Sequence, residues 1–315
     1  MSSKTNLVSL EPQERKCGFA GNCWRVHKFG GTSVANAECF RQAAAIVEEQ
    51  LQEHSPLNIA VVVSAMGGTP KVTDLLLSTV VAAAARHQDK VEATLNLILD
   101  KHTTCIQELF ERDAARSRLI SIIEKDLENV RDILKTVSLM KWQATRISEL
   151  VAGNGEIWSA QILCALLQER ALSQNHEFVF LDARRVIIID EEAVQDGAVC
   201  WDICHEKLQQ VYQEERVNLP LEKTMHFVIT GYVASNTDGV ATTLQRDGSD
   251  YSAAIMGKLL NSESITIWTD VDGVLSADPR RVPSAHVIPE VSFNEAMELA
   301  YFGAKVSWLC DSTCQ

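Results

Sequence analysis

The chain has 315 residues, of which 46% are hydrophobic and 23% charged, a balance that excludes a disordered or fibrous protein and allows a core large enough to stand without disulfide or metal staples. Lys and Arg number 29 against 42 Asp and Glu, leaving a net charge of −13, which excludes a broad electrostatic footprint for nucleic acid or an anionic membrane. Any anionic ligand must be held by a local cluster of donors.

A polar leader occupies residues 1–23. It contains Glu11, Pro12 and Glu14 and no apolar run, so a secretory signal is not expected; the expected location is cytoplasmic, with a plastid as the alternative. Trp24–Phe29 reads as a short strand ending at Gly30-Gly31, and 36–52 carries a helical pattern. Residues 58–64 (NIAVVVS) form a nearly continuous β-branched run, as in a strand buried on both faces of a parallel sheet. Residues 72–86, 89–111 and 115–137 read as long amphipathic helices with no strand between them. They predict a helical insertion over about 72–150, serving as a lid or an interface.

From Glu149 the alternation resumes: a helix over 156–170, strands at 178–181 and 186–189, a helix over 201–213, a strand at 226–230, a helix over 250–260 and a strand at 264–268. Ser292 followed by Glu295 is a capping-box opening for a further helix. The pattern predicts an α/β fold, a three-layer, doubly wound and mainly parallel sheet. The apolar runs at 59–63 and 80–85 are far shorter than the roughly 20 residues of a membrane span. The nine cysteines lack regular spacing and read as reduced, structural, intracellular thiols.

Four segments carry candidate chemistry. Lys28-Phe29-Gly30-Gly31-Thr32-Ser33 sits where a strand hands over to a helix. Paired glycines let backbone N–H groups approach phosphate oxygens, and Lys28 adds a full positive charge; the same residues also suit a tight turn beside a surface lysine. Gly153-Asn154-Gly155-Glu156 places a carboxylate at a helix start, where the macrodipole favours it, in a functional role or simply as a helix cap. It lacks the third glycine of a dinucleotide fingerprint, where Trp158 stands, and no GxxxxGK[ST] loop occurs. Arg246-Asp247-Gly248-Ser249-Asp250-Tyr251-Ser252 again leads into a helix, with an arginine fork suited to a carboxylate. The fourth segment, residues 268–280, holds Asp270, Asp272 and Asp278 with Gly and Pro after a strand, as a ligand loop or as an acidic surface turn.

Together these segments resemble the catalytic domain of aspartokinases, in the amino-acid kinase family. The resemblance spans about residues 24–306 and rests on KFGGTS (28–33), VVSA (62–65) with Thr73-Asp74, Gly155-Glu156, RDGSDYS (246–252), TDVDG (269–273) with ADPR (277–280), and YFGAKV (301–306). The wording is closest to the kinase half of bifunctional aspartokinase/homoserine dehydrogenases. It implies transfer of the ATP γ-phosphate to the side chain of L-aspartate, the first step toward lysine, threonine and methionine. By this resemblance Lys28 and Asp250 are catalytic. Lys28, Gly30, Gly31, Thr269, Asp270, Leu275, Arg280, Lys305 and Val306 contact ATP, and Mg²⁺ bridges its phosphates without an assigned protein ligand. Ser64, Thr73, Glu156, Arg246, Gly248 and Ser249 line the aspartate pocket, with Arg246 on the α-carboxylate and Glu156 on the α-ammonium.

Two departures stand out. Leu275 replaces the family's usual Tyr near the nucleotide. Residues 307–315 (SWLCDSTCQ) do not continue the family pattern and read as a truncated, non-family tail. The alternative function is therefore a catalytically impaired form that associates with full-length aspartokinase subunits as partner or modulator; homo-oligomerisation is the other partner expectation. Phosphorylation of glutamate, acetylglutamate, carbamate or a nucleotide is disfavoured by the Arg246-x-Gly-Ser-Asp250 wording.

Overall fold

The computed structural model describes residues 18–53, 57–140, 145–171, 175–190, 198–244, 248–269, 273–277, 282–292, 294–296 and 298. Its centre is the β-branched run, which forms strand β2 (Asn58–Val63) with every residue buried. Side chains alternate across a strand, so Ile59, Val61 and Val63 enter one hydrophobic cluster while Ala60 and Val62 enter another. β2 lies between β1 (Trp24–Phe29) and β6 (Thr224–Thr230), with β3 (His176–Leu181) beyond β6 and β9 (Ser264–Trp268) beyond β1. All four pairings are parallel.

Over one face lie α1 (Ala37–Glu53), α2 (Val72–Ala84), α3 (Gln88–Leu109), α4 (Asp113–Met140), α5 (Thr145–Ala152) and α6 (Asn154–Ala171). In α4 the buried side chains Leu119, Ile123, Leu127, Val130, Leu134 and Val137 recur every three or four residues, the stripe of a helix with one face in a core. That stripe, and its counterpart in α3, joins the same cluster as Ile59 and Val61, so the helical region continues the layer on the sheet. The segment Thr145–Ala171 is apolar and long enough to cross a membrane, but 78% of its apolar window is buried inside the protein. Its apolarity is that of a helix surrounded by its own fold.

The opposite face carries α7 (Trp201–Val217), α8 (Gly248–Leu259) and a second sheet. This sheet contains β4 (Ile188–Asp190), β5 (Ala198–Val199), β7 (Val233–Asn236) and β8 (Ala241–Thr243) in the order β5-β4-β7-β8. Its β4–β5 and β7–β8 pairs are antiparallel and its β4–β7 pair is parallel. The doubly wound, three-layer expectation holds, with this small mixed sheet as the addition. The glycine pair does not open α1 directly: Gly31–Val34 make a 3-10 turn first, and Asn36 caps the helix by accepting the Cys39 N–H at 3.0 Å. The capping box is formed, with Ser292 N–H donating to Glu295 Oε2 at 2.9 Å and Glu295 N–H donating to Ser292 Oγ at 3.3 Å.

Parallel pairing brings one end of every strand to the same edge. Phe29 is in register with Val63 and Trp268, and Val63 with Thr230. The residues that follow, Gly30, Ser64, Gly231 and Thr269, therefore stand along the carboxyl edge of the sheet, where open α/β sheets bind ligands.

Candidate active site

The edge is knitted by backbone hydrogen bonds that continue past the strands. Ser64 N–H donates to Phe29 O at 3.1 Å, Gly231 N–H to Val63 O at 2.9 Å, and Gly67 N–H to Gly31 O at 2.9 Å. The last of these packs the 64–70 loop flat against the glycine pair. A Cβ on Gly67 would sit 2.4 Å from Gly31 O, and one on Gly31 would sit 3.0 Å from Ala65 O. Glycine is required here because two backbones touch.

Lys28 points to the other side of β1, toward α8. Its Nζ lies 2.6 Å from Asp250 Oδ1, with both side chains largely buried. Asp250 is in the first turn of α8, where the helix dipole favours a negative charge. The Lys28 ammonium also faces the glycine pair, 3.7 Å from where a Gly30 Cβ would be. The start of α8 is pressed onto the end of β6. A Cβ on Gly231 would be 2.8 Å from Ser249 Oγ, and one on Gly248 would be 2.8 Å from Tyr232 Cδ2. Tyr232 has a left-handed backbone, φ 67°, held by its N–H donating to Ser252 Oγ at 3.0 Å and its carbonyl accepting from Leu244 N–H at 2.7 Å. Burial raises its phenol pKa, a hydrogen bond with Thr243 opposes this, and the carboxylates of Glu149 and Glu156 are close enough to add to the rise.

Glu156 reaches the same edge from α6. The approach depends on Gly155, where a Cβ would meet Ala65 Cβ at 2.9 Å and Val72 Cγ1 at 3.2 Å. The Glu156 carboxylate is buried and accepts its own backbone N–H and that of Ala65, yet burial still pushes its pKa up to about 8. Glu156 caps its own helix start and keeps its second oxygen, Oε2, buried without a partner among the described residues. Such an acceptor suits a cation. Trp158, by contrast, is a core residue that donates Nε1–H to Asp126 Oδ2 at 2.9 Å.

Lys28, Gly30, Gly31, Ser64, Glu156, Gly248, Ser249 and Asp250 thus belong to one edge, on β1, β2, α6 and α8 and the loops that follow the strands. Thr269 directly follows β9, and Thr73 is in the first turn of α2 beside Val72. Leu275 lies farther along, half-buried and paired with Val287 in an isolated bridge. Arg246, Asp270, Arg280, Lys305 and Val306 lie outside the described residues. Sequence reasoning did not single out Gly67, Gly231 or Tyr232 as parts of the edge. The available signals were a second Gly-Gly after β2 and a glycine directly after the β6 run. Among the described residues no group of three or more His, Cys, Asp or Glu could hold a metal ion, and Asp250 is engaged with Lys28. A divalent cation here fits the phosphates of a nucleotide better than a cage of side chains.

The model of the amino acid kinase family matches residues 24–309. Bifunctional aspartokinase/homoserine dehydrogenase 2, chloroplastic, of Arabidopsis thaliana is 36% identical over 286 residues, which are 91% of this chain and 29% of that protein. Bifunctional aspartokinase/homoserine dehydrogenase 2 of Escherichia coli is 32% identical over 90% of this chain and 32% of its own length. The chain thus spans about three tenths of these relatives. Among solved structures, Escherichia coli aspartokinase III in complex with aspartate and ADP superposes with a TM-score of 0.73 at 29% identity, covering 91% of this chain and 58% of that one.

Proposed function

The chain belongs to the amino acid kinase family, and on that premise we propose that it transfers the γ-phosphoryl group of ATP to the side-chain carboxylate of L-aspartate, yielding 4-phospho-L-aspartate and ADP. The observation that carries the reading is the largely buried Lys28–Asp250 pair at 2.6 Å beside the glycine pair, with the buried Glu156 carboxylate bonded to Ala65 of the adjoining loop and its Oε2 unpartnered among the described residues. Phosphoryl transfer spreads negative charge over the equatorial oxygens of the moving group and leaves the protein mainly positioning and electrostatic work. Lys28 supplies a positive charge at that place, and Asp250 holds the ammonium in direction. The N–H groups of the Gly30-Gly31 segment can approach phosphate oxygens because no side chain stands in the way.

ATP, with Mg²⁺ on its phosphates, supplies the phosphoryl group when bound. Arg246, Thr269, Asp270, Leu275, Arg280, Lys305 and Val306 keep the roles that the family resemblance gives them. Glu156 receives the α-ammonium of aspartate: the open Oε2 gains its partner and the carboxyl group loses its proton as the cation arrives. Ser64, Thr73 and Ser249 offer hydroxyls along the same wall. The relative solved with aspartate and ADP supports both ligand classes, and relatives from plants are named as chloroplastic, in keeping with the plastid alternative.

The test is the purified chain with MgATP and a panel of amino acids, trapping acyl phosphate with hydroxylamine. Hydroxamate formation with aspartate alone is the expected result. Hydroxamate with another acid, or none with any, overturns the reading.

A further inference from the structure

Lys101 lies on α3, in the helical region, and is not among the residues that the family resemblance brings to the site. Its Nζ donates to Gly67 O at 2.6 Å and to Pro70 O at 2.8 Å. Both carbonyls belong to the 64–70 loop, whose Gly67 N–H is bonded to Gly31 O at 2.9 Å. One peptide on each side of Gly67 is therefore fixed, by the glycine cradle at its N–H and by the α3 ammonium at its carbonyl. The same loop begins with Ser64 and Ala65, whose backbone is tied to Phe29 O and to the Glu156 carboxylate. Gly67 and Gly68 contribute no side-chain packing to hold the loop, and Gly68 is exposed with φ +89°. The loop is also held by Val72 N–H donating to Met66 O at 3.0 Å and by the buried Met66 side chain; the Lys101 ammonium braces its Gly67 and Pro70 carbonyls, and desolvation by partial burial lowers its pKa.

We infer that Lys101 is a positioning residue for phosphoryl transfer, through which the helical region holds the 64–70 loop and the Gly30-Gly31 cradle in register. The inference rests on the kinase reading given above for the location of the chemistry. It gives the helical region a task inside the site in addition to covering the sheet. A lysine suits the task because one ammonium carries several donors on a flexible stem and can bind two diverging carbonyls.

The experiment compares Lys101→Met and Lys101→Arg with the parent 315-residue chain, reading hydrogen exchange of the 64–70 amides together with kcat and the KM values for ATP and aspartate. Methionine keeps the apolar stem and removes the donors. We expect Lys101→Met to lower kcat by about ten- to a hundredfold, the scale of a displaced catalytic geometry, with KM for ATP little changed, and to speed exchange in the 64–70 loop selectively. Lys101→Arg, which keeps donors and charge, restores part of both. Parent-like kcat in Lys101→Met overturns the inference even if its melting temperature falls, and so does slowed turnover with unchanged exchange in the loop. If the parent itself has no kinase activity, the kinase reading fails with it as to this role, while the exchange data still report whether the brace exists.

Discussion

The two ends of the central sheet each bury a titratable group, and they treat it in opposite ways. At the amino end His226 is completely enclosed and both ring nitrogens are used: Nδ1 accepts from Ile59 N–H at 3.0 Å, and Nε2 lies 2.9 Å from Nδ1 of His176. Burial, helped by the neighbouring His176, lowers its pKa to about 3, so the ring stays neutral and serves as a side-chain link in the β2–β6 ladder. At the carboxyl end Glu156 is equally enclosed, but one oxygen is left open and its pKa is pushed up to about 8. A buried polar atom without a partner costs more than one with a partner. His226 is satisfied within the strand ladder, whereas Glu156 Oε2, like His102 Nε2 in the helical layer, is left without a partner among the described residues.

The comparison can be broken from the carboxyl end first. Lys28→Met should reduce turnover by about 10²- to 10³-fold, the cost of losing one group aimed at developing charge, with the far-UV circular dichroism of the parent; steady-state kinetics with hydroxylamine trapping measures it. Glu156→Gln should raise KM for aspartate by roughly ten- to a hundredfold, the worth of a hydrogen bond to a charged group, without a matching change for ATP. The same substitution should stabilise the unliganded fold. The Glu156 carboxyl is held well above its ordinary value of 4.5, so folding takes up a proton and the parent loses stability as pH rises from about 4.5 to about 8. The melting temperature of Glu156→Gln should therefore exceed that of the parent at pH 8 and approach it at pH 5.

A third test reads the proton directly. If Glu156 takes the aspartate ammonium as proposed, binding ionises it, so affinity should climb about tenfold between pH 6 and pH 7, and flatten above about pH 8. Calorimetry in two buffers of different ionisation heat should show a proton released near pH 7; a pH-independent affinity would assign the ammonium to another group. The smallest effect belongs to the amino end. His226→Phe leaves Ile59 N–H without its acceptor and should cost about 1–3 kcal/mol in urea unfolding, while kcat stays that of the parent.

Much of this was legible in the sequence wherever local pattern and structure coincide. The run at 58–63 declared a strand buried on both faces, the Gly-Gly after β1 a close approach, and Gly155-Glu156 a carboxylate at a helix start. The small sheet was less legible, because β7 ends in Ser235 and Asn236, which are buried for their hydrogen bonds rather than their apolarity. Asn236 Oδ1 accepts from the N–H groups of Asp238 and Val240, shaping the turn into β8. Lys101 was invisible for a different reason. Its partners are backbone carbonyls on another element, and no residue pattern encodes a carbonyl. The left-handed Tyr232 was equally hidden, since an aromatic residue carries no signal for positive φ.

The β2–β6 pairing has a consequence for how the chain is assembled. Ile59 and His226 are partners across 167 residues of sequence, with α2 to α7 and strands β3, β4 and β5 in between. Closing so long a loop is an entropic debt that neighbouring contacts cannot repay until the strands meet. Ser64 and Gly231 face one another only once that meeting has occurred. The carboxyl edge is therefore assembled late: a growing chain on the ribosome has all of the helical region before it has β6, the strand that brings Gly231 against Ser64, and under the proposed function ligand binding would report closure of the sheet rather than the state of any one segment.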